Sequence, residues 1–520
     1  MSIRAVGALF HKGQSDSLAA PPGRLTRRHI LTGSAASAIG GALNGALPKI
    51  ALARQPSRPS EAAWRHLAAK LSGPVLRSNG FDLRKFARPY NLRYASDLPD
   101  AIALCRYAED VAFAITWCRE NDVPLVVQSG GHCYAGFSMR RGGLLINLLL
   151  MREAHYSNGT VRIGGGARNQ TLYDLLGQNN VAITHGRCPS VGAAGFLLGG
   201  GIGFNMRAYG AACDGLVASE IVTADGRIRT ITSAADKEDA DLFWACRGGG
   251  GGNFGVNTSF TLSTFEARPV TVFDLTWSAA HPAPRTVFGA LIKALDAGPV
   301  ELGTRVSLKA PSPGDRARGA GVTINLLGQL HAHSAKVLDE ILADVYAIEK
   351  PQRAMVWDQA NYWDAQKLLE EGDVPTFFQE RSAFLASRLD DEAIDLAFTY
   401  LHSWPGTSES ADLRFFQTGG KMNEPAADAT AFAHRSSRWL LDVGLNWSAT
   451  DRSDVVAHNR IWQDRFYDAM RKFSAGAYQN FADPSLRDWR TAYYGANLER
   501  LQSIKRSVDP ERVFDFAQAV

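Results

Sequence analysis

From about residue 102 the apolar and polar positions of the chain fall into regular patterns. The run Ile102-Ala103-Leu104-Cys105 predicts a short strand, and Val111, Ile115 and Cys118, on one helical face, predict a helix over 109–120. Asn121-Asp122 ends that helix, and Leu125-Val126-Val127 follows as a buried strand that runs into a turn. After about residue 265 the chain reads as ordinary α+β. Positions 322–327 predict a strand, and 335–348 predict one amphipathic helix with Val337, Leu338, Ile341, Leu342 and Val345 on its apolar face. The cleanest alternation lies at 438–447. Trp439, Leu441, Val443, Leu445 and Trp447 share one face of a strand. Leu440, Asp442, Gly444 and Asn446 share the other, which fronts either solvent or the wall of a polar cavity.

Glycine interrupts this regularity in one region. Of the 49 glycines, 26 lie between residues 128 and 255, clustered at 130–131, 164–166, 199–203 and 248–255. Glycine permits positive φ and close backbone approach. Several such turns beside β-rich segments suit a large anionic ligand threaded between backbone amides, the alternative being a set of flexible surface turns.

Composition narrows the class. At 520 residues, 45% hydrophobic and 21% charged, the chain is neither a disordered tail nor a collagen-like repeat nor a disulfide mini-protein, and two or three domains are expected. The net charge of +4 is uneven: residues 1–53 hold Arg4, Lys12, Arg24, Arg27, Arg28 and Lys49 against Asp16, so the remainder carries −1. A surplus confined to the start argues against a nucleic-acid-binding face and points to a targeting segment. Arg27-Arg28, a mildly apolar stretch to Leu47, and Ala51-Leu52-Ala53 form an export signal of twin-arginine type, with cleavage expected after Ala53; an ordinary secretory signal or an uncleaved anchor is the alternative. The stretch 30–47 is too weakly apolar for a stable membrane span. The expectation is an exported protein, periplasmic or secreted, that meets the twin-arginine export machinery and holds a cofactor tightly.

Other motifs are set aside. The run 250–255 matches G-x-G-x-x-G, but Val256-Asn257-Thr258-Ser259-Phe260 reads as a strand where a dinucleotide fold needs a helix. His331-Ala332-His333 reads as a surface pair on a strand, and no metal is expected. The six cysteines lack C-x-x-C spacing, and any pairing after export is not readable from the sequence.

Two reactive side chains sit inside the glycine-rich region: His132 in SGGHCYAG (129–136) and Cys188 in GRCPSVG (186–192). Arg187 and nearby backbone amides would lower the thiol pKa and favour a nucleophilic thiolate. These segments, with GRCPSVGAAGFLLGGGIGF (186–204), LFWACRGGGGGNFG (242–255) and the stretch 478–510 beginning YQNFADP, resemble the berberine-bridge-enzyme-like family of FAD-linked oxidases, within the vanillyl-alcohol oxidase and p-cresol methylhydroxylase superfamily. The likeness runs from about residue 87 to the C-terminus.

The resemblance implies an α+β fold with a two-part FAD-binding domain of the p-cresol methylhydroxylase type over 95–267, after a lead-in at 54–94. An α+β substrate domain with an antiparallel sheet follows over 268–472, and a C-terminal segment, 473–520, returns to the FAD domain. It implies FAD attached twice, through His132 to the 8α carbon and through Cys188 to C6. Ser129, Gly130, Gly131, Tyr134 and Gly136 would cradle the pyrophosphate; Gly192, Gly195, Gly199, Gly200 and Gly201 would line the other side, with Ile221 near the adenine. Asn480, Tyr494, Gly495 and Asn497 would approach the flavin from the C-terminal segment, and Val191 would govern access of O2. Relatives usually carry arginine at Gln128, and many plant members carry tyrosine at Ile202.

Oxidising an alcohol carbon needs a hydride acceptor and a base for the hydroxyl proton. The resemblance assigns the ring-facing phenol to Tyr478 and the second polar position to Asp442, as proton relay or as the base itself. The expected activity is oxidation of a CH–OH donor, a sugar, oligosaccharide or other alcohol, with O2 as acceptor and H2O2 as product. A dehydrogenase with another acceptor and a non-catalytic flavin-binding protein stand as alternatives.

Overall fold

A computed structural model of the chain describes residues 59–77, 81–278, 284–372 and 374–520. The basic leader expected over 1–53 lies outside them.

The first sheet follows the expected pattern closely. Ala101–Leu104, Leu144–Asn147 and Leu125–Gln128 run parallel, in that spatial order, and Val75–Arg77 adds an antiparallel edge. Every residue of Ala101–Leu104 is buried, as a parallel strand covered on both faces requires. The crossover helix Ala108–Glu120 starts where the Asp110 carboxylate accepts bonds from the Arg106 and Ser72 backbone N–H groups, at 2.8 and 2.7 Å. It buries Val111, Ala114, Ile115, Trp117 and Cys118.

A second, antiparallel sheet has the order Ala154–Ser157, Thr160–Gly164, Val256–Ser263, Leu216–Val222, Ile228–Thr232. A strand, not a helix, therefore follows the glycine run 248–255. The third sheet is antiparallel, with eight strands drawn from the later half of the chain, in the order Arg353–Ala360, Val270–Trp277, Thr323–His331, Leu302–Lys309, Ala411–Gln417, Trp439–Trp447, Phe377–Leu385 and Ser474–Gly476. Helices Pro284–Ala297, Asp391–His402 and Ser453–Met470 cover one face of this sheet, where Leu413, Phe415, Leu441, Val443 and Leu445 are buried.

Two local expectations change. The helix over 335–348 is two helices, Ala335–Ile341 and Ala343–Ile348, broken at Leu342 (φ −94°, ψ 7°). The break lets Leu338, Leu342 and Val345 all reach the core. His331 is no surface residue: it is buried and its Nε2 meets Gln329 Nε2 at 2.9 Å, while Ala332 turns to φ 55° and takes His333 off the strand. Cys105, Cys118, Cys133, Cys213 and Cys246 are free thiols; burial pushes Cys213 and Cys246 up to about 12. Among the described residues no helix is long and apolar enough to cross a membrane, and no cluster of His, Cys, Asp or Glu is arranged to hold a metal.

Candidate active site

A cavity of about 730 Å³ lies between the glycine-rich turns and the polar face of the eight-stranded sheet, within the 300–1,000 Å³ span of ligand sites. Two turns form its first rim. The turn after Leu125–Gln128 carries Ser129 to Tyr134, with Gly131 at φ 78°. The second carries Arg187 to Gly192. They press together backbone to backbone: a Cβ on Gly130 would lie 2.3 Å from Gly192 N, and one on Gly192 would lie 2.3 Å from both Gly130 N and Ser129 Oγ. Only glycine fits either position, which brings His132 and Cys188 to one rim.

Several bonds fix this rim. Ser129 Oγ donates to Gly165 O at 2.7 Å, and the Asn169 side chain donates to Cys188 O at 2.9 Å. His132 Nε2 lies 2.7 Å from Ser190 Oγ, and the imidazole stacks on Tyr90 with ring centroids 4.1 Å apart. The Arg187 guanidinium is committed to Glu371 at 2.7 Å and lies over the Phe204 ring. Glu371 bridges Arg187 and Arg305; burial opposes its ionisation, but the arginine charges bring its carboxyl below the usual range.

Tyr478 is 1% exposed and lines the cavity. Its phenol oxygen accepts bonds from Gly201 N–H and from the Asn480 side chain, both at 3.1 Å. Burial pushes the phenol pKa up, and these donors act against that shift. Gly199 makes the approach possible, since a Cβ there would sit 2.0 Å from Asn480 Oδ1. The C-terminal segment thus docks on the 199–201 turn.

Asp442 stands apart from the hydrogen bonds that hold the Tyr478 oxygen. It is fully buried on the strand Trp439–Trp447, with Arg414 Nη2 3.0 Å from its Oδ2, and it makes no bond to Tyr478. Burial, with the Glu380 and Asp412 charges, holds its carboxyl well above the usual range even against Arg414. The Tyr478 oxygen has N–H partners, and Asp442 is a buried acid beside Arg414.

Of the other expected residues, Ser129, Gly130, Gly131, Tyr134, Val191, Gly192, Gly195, Asn480 and Tyr494 line the cavity with His132 and Cys188. Gly136, Gly199, Gly200, Gly201, Ile221, Gly495 and Asn497 do not. Gly136 clears the Tyr94 ring, 2.3 Å from where its Cβ would stand; Gly200 and Gly201 clear Phe432 and Ala212. Ile221 is buried in its strand, and the Asn497 side chain donates to Ala427 O at 2.7 Å and Thr430 O at 3.1 Å, a structural tie. Gln128 points into the core, accepting a bond from Asn147 at 3.0 Å, so the missing arginine costs this site no ligand-facing charge.

The opposite wall is where sequence reasoning missed most. Arg305, Ser307, Glu380, Asp412, Arg414 and Asn446 project into the cavity from neighbouring strands. Arg414 pairs with Glu380, Asp412 and Asp442. Buried Arg305 Nε, Ser307 Oγ and Glu380 Oε2 have no hydrogen-bond partner among the described residues, and such atoms call for a polar ligand. The signal that would have found this wall is alternation: Arg305, Ser307 and Lys309 interleave with buried Val306 and Leu308. The face left open at 438–447 is likewise a cavity-side face.

FAD fits the rim: the glycine turns expose backbone amides with no Cβ in the way, and a histidine and a cysteine stand on it. Comparison with known proteins agrees. Residues 99–232 match the FAD binding domain family, and residues 477–520 match the family described as berberine and berberine like. Glucooligosaccharide oxidase of Sarocladium strictum is 33% identical over 480 residues, covering 84% of this chain and 89% of that protein. The solved glucooligosaccharide oxidase of Acremonium strictum, described with 6-S-cysteinyl, 8α-N1-histidyl FAD, superposes with a TM-score of 0.76 at 28% identity, covering 88% of this chain and 98% of that one. The carbohydrate oxidase of Microdochium nivale gives 0.75 at 25% identity, covering 88% and 99%. With an FAD-binding domain, a matching C-terminal segment and this rim, the chain belongs to the berberine-bridge-enzyme-like family of FAD-linked oxidoreductases.

Proposed function

We propose that the protein is an exported oxidase that converts a hydroxyl carbon of a sugar or oligosaccharide to a carbonyl, with FAD linked at His132 and Cys188, and with O2 reduced to H2O2. The observation that carries this reading is that one cavity has His132, Cys188 and Tyr478 on one side and a polar sheet wall on the other. FAD, when bound, supplies the hydride acceptor. The chain supplies the rest. Arg305, Ser307 and Asn446 offer a polyol the donors and acceptors it needs, and Tyr478 holds the hydroxyl proton at its phenol oxygen, steadied by Gly201 N–H and Asn480. Two covalent anchors hold a cofactor without enclosing it, which leaves the cleft wide enough for more than one sugar unit. The carbohydrate oxidases among the relatives support that substrate class.

The test is twofold. Acid-precipitated protein keeps its flavin absorption in the pellet, and a panel of mono- and oligosaccharides yields peroxide. Flavin in the supernatant sinks the covalent reading; reduction by sugar followed by reoxidation over many minutes in air sinks the oxidase reading. For export, Arg27-Arg28 and the small residues before Arg54 support a twin-arginine signal. Replacing both arginines by lysine then leaves the precursor in the cytoplasm, and unchanged export overturns the assignment.

A further inference from the structure

The imidazole of His132 is held on two sides. Tyr90 stacks on its ring at 21°, and the Tyr90 hydroxyl donates to Gly372 O at 3.2 Å. Ser190 Oγ lies 2.7 Å from Nε2. Ser190 belongs to the Cys188 turn, which the contact between Gly130 and Gly192 locks against the His132 turn. The two attachment points are thus joined by a side-chain contact as well as by packed backbone.

A neutral imidazole carries its proton on one nitrogen, and only the other has a lone pair with which to form a bond. A hydroxyl that accepts from Nε2–H stabilises the tautomer whose lone pair is on Nδ1. We propose that Ser190 is a positioning residue for flavin attachment: it accepts a hydrogen bond from His132 Nε2–H and thereby directs the covalent bond to Nδ1. This rests on the double attachment proposed above. In the net reaction one C–H bond of the flavin 8-methyl group and the imidazole N–H are lost, and one C8α–Nδ1 bond forms. The two electrons and two protons released reduce O2 to H2O2. The ring gains positive charge as Nδ1 bonds, and the Nε2 proton then leaves through the Ser190 hydroxyl.

The experiment compares full-length wild type with Ser190→Ala and Ser190→Thr, each denatured, digested and read by mass spectrometry for flavin-bearing peptides. Wild type carries flavin on both the His132 and the Cys188 peptides; absence from the His132 peptide of wild type would overturn the double attachment itself. With Ser190→Ala, flavin stays on Cys188, which reports a folded bed, and the His132-linked fraction falls at least tenfold. Ser190→Thr keeps the histidyl link. Wild-type histidyl occupancy in Ser190→Ala overturns the role of Ser190, as does its loss in Ser190→Thr. If Ser190→Ala does not fold, Ser190→Val against Ser190→Thr decides, because the two differ by a hydroxyl at equal size: the link in Ser190→Thr alone supports the proposal, and equal occupancy overturns it.

Discussion

The two surfaces that face each other across the cavity are built in opposite ways. The cofactor rim is backbone: Gly130 and Gly192 stand where any Cβ collides with the opposite turn, so its shape follows from residues that lack side chains. The sheet wall is side chain: Arg305, Ser307, Asp412 and Arg414 stand on a regular strand framework that does not depend on which residue each position carries. A rim of that kind tolerates almost no change, whereas such a wall can be rewritten residue by residue. One cofactor site can therefore serve many substrates, and the two surfaces should respond differently to mutation.

Tyr478→Phe separates chemistry from both. It keeps the ring and removes the proton-holding oxygen, so turnover falls about 10²–10⁴-fold while flavin content stays at the wild-type level. Because burial raises the Tyr478 pKa, the proton-accepting form grows as pH rises. Wild-type kcat/KM therefore climbs from pH 7 to 10, and the residual activity of Tyr478→Phe stays flat. A flat wild-type profile would place the base elsewhere.

A weak point of the wall is the charge hub at Arg414. Arg414→Met leaves Glu380, Asp412 and Asp442 without their shared cation, and removing one partner of a buried pair costs about 3–5 kcal/mol. Denaturant unfolding reads that loss directly. On the rim, Gly192→Ala inserts a methyl group against Gly130 N and Ser129 Oγ. An overpacking cost of about 1–3 kcal/mol is expected, together with a drop in covalently bound flavin, which Arg414→Met need not show. If both variants lost flavin equally, the contrast between rim and wall would fail.

What the sequence made legible follows the same division. The rim was readable because a histidine and a cysteine sat in glycine-rich motifs, and glycine at such density has few other physical uses. The fold was readable where one face is buried. Trp439–Trp447 alternates because one side meets helices and the other the cavity, yet alternation alone does not say which solvent or ligand the polar side meets. The break at Leu342 was hidden because both short helices keep apolar positions at helical spacing. The support of Tyr478 was hidden because one of its partners is a backbone N–H at residue 201, and its distance in sequence is too great for spacing to report. The wall was missed because its residues come from strands about 100 residues apart and form no motif until the sheet assembles.

Two smaller effects sharpen the comparison. Ser307→Ala removes a buried hydroxyl that lacks a protein partner, so its cost falls on the ligand: KM for a sugar rises several-fold, and the flavin spectrum and stability hold. Unchanged KM would mean that Ser307 lies outside the bound substrate.

Asp442→Asn should do least. Its carboxyl sits well above the usual range because it is buried beside Glu380 and Asp412, which favours the neutral acid that asparagine mimics in size and charge. Turnover then stays within about twofold, whereas a base receiving the Tyr478 proton would lose 10²-fold or more on the same change. The pH dependence of stability distinguishes the two further. A carboxyl whose folded pKa is raised binds more protons folded than unfolded, so its contribution to stability is present near pH 4 and is lost as pH rises toward the folded value. Asp442→Asn lacks that loss. Relative to wild type, the variant's Tm should therefore improve between pH 4.5 and pH 8, and an unchanged difference over that range would show that Asp442 is already ionised in the folded protein and held there by Arg414.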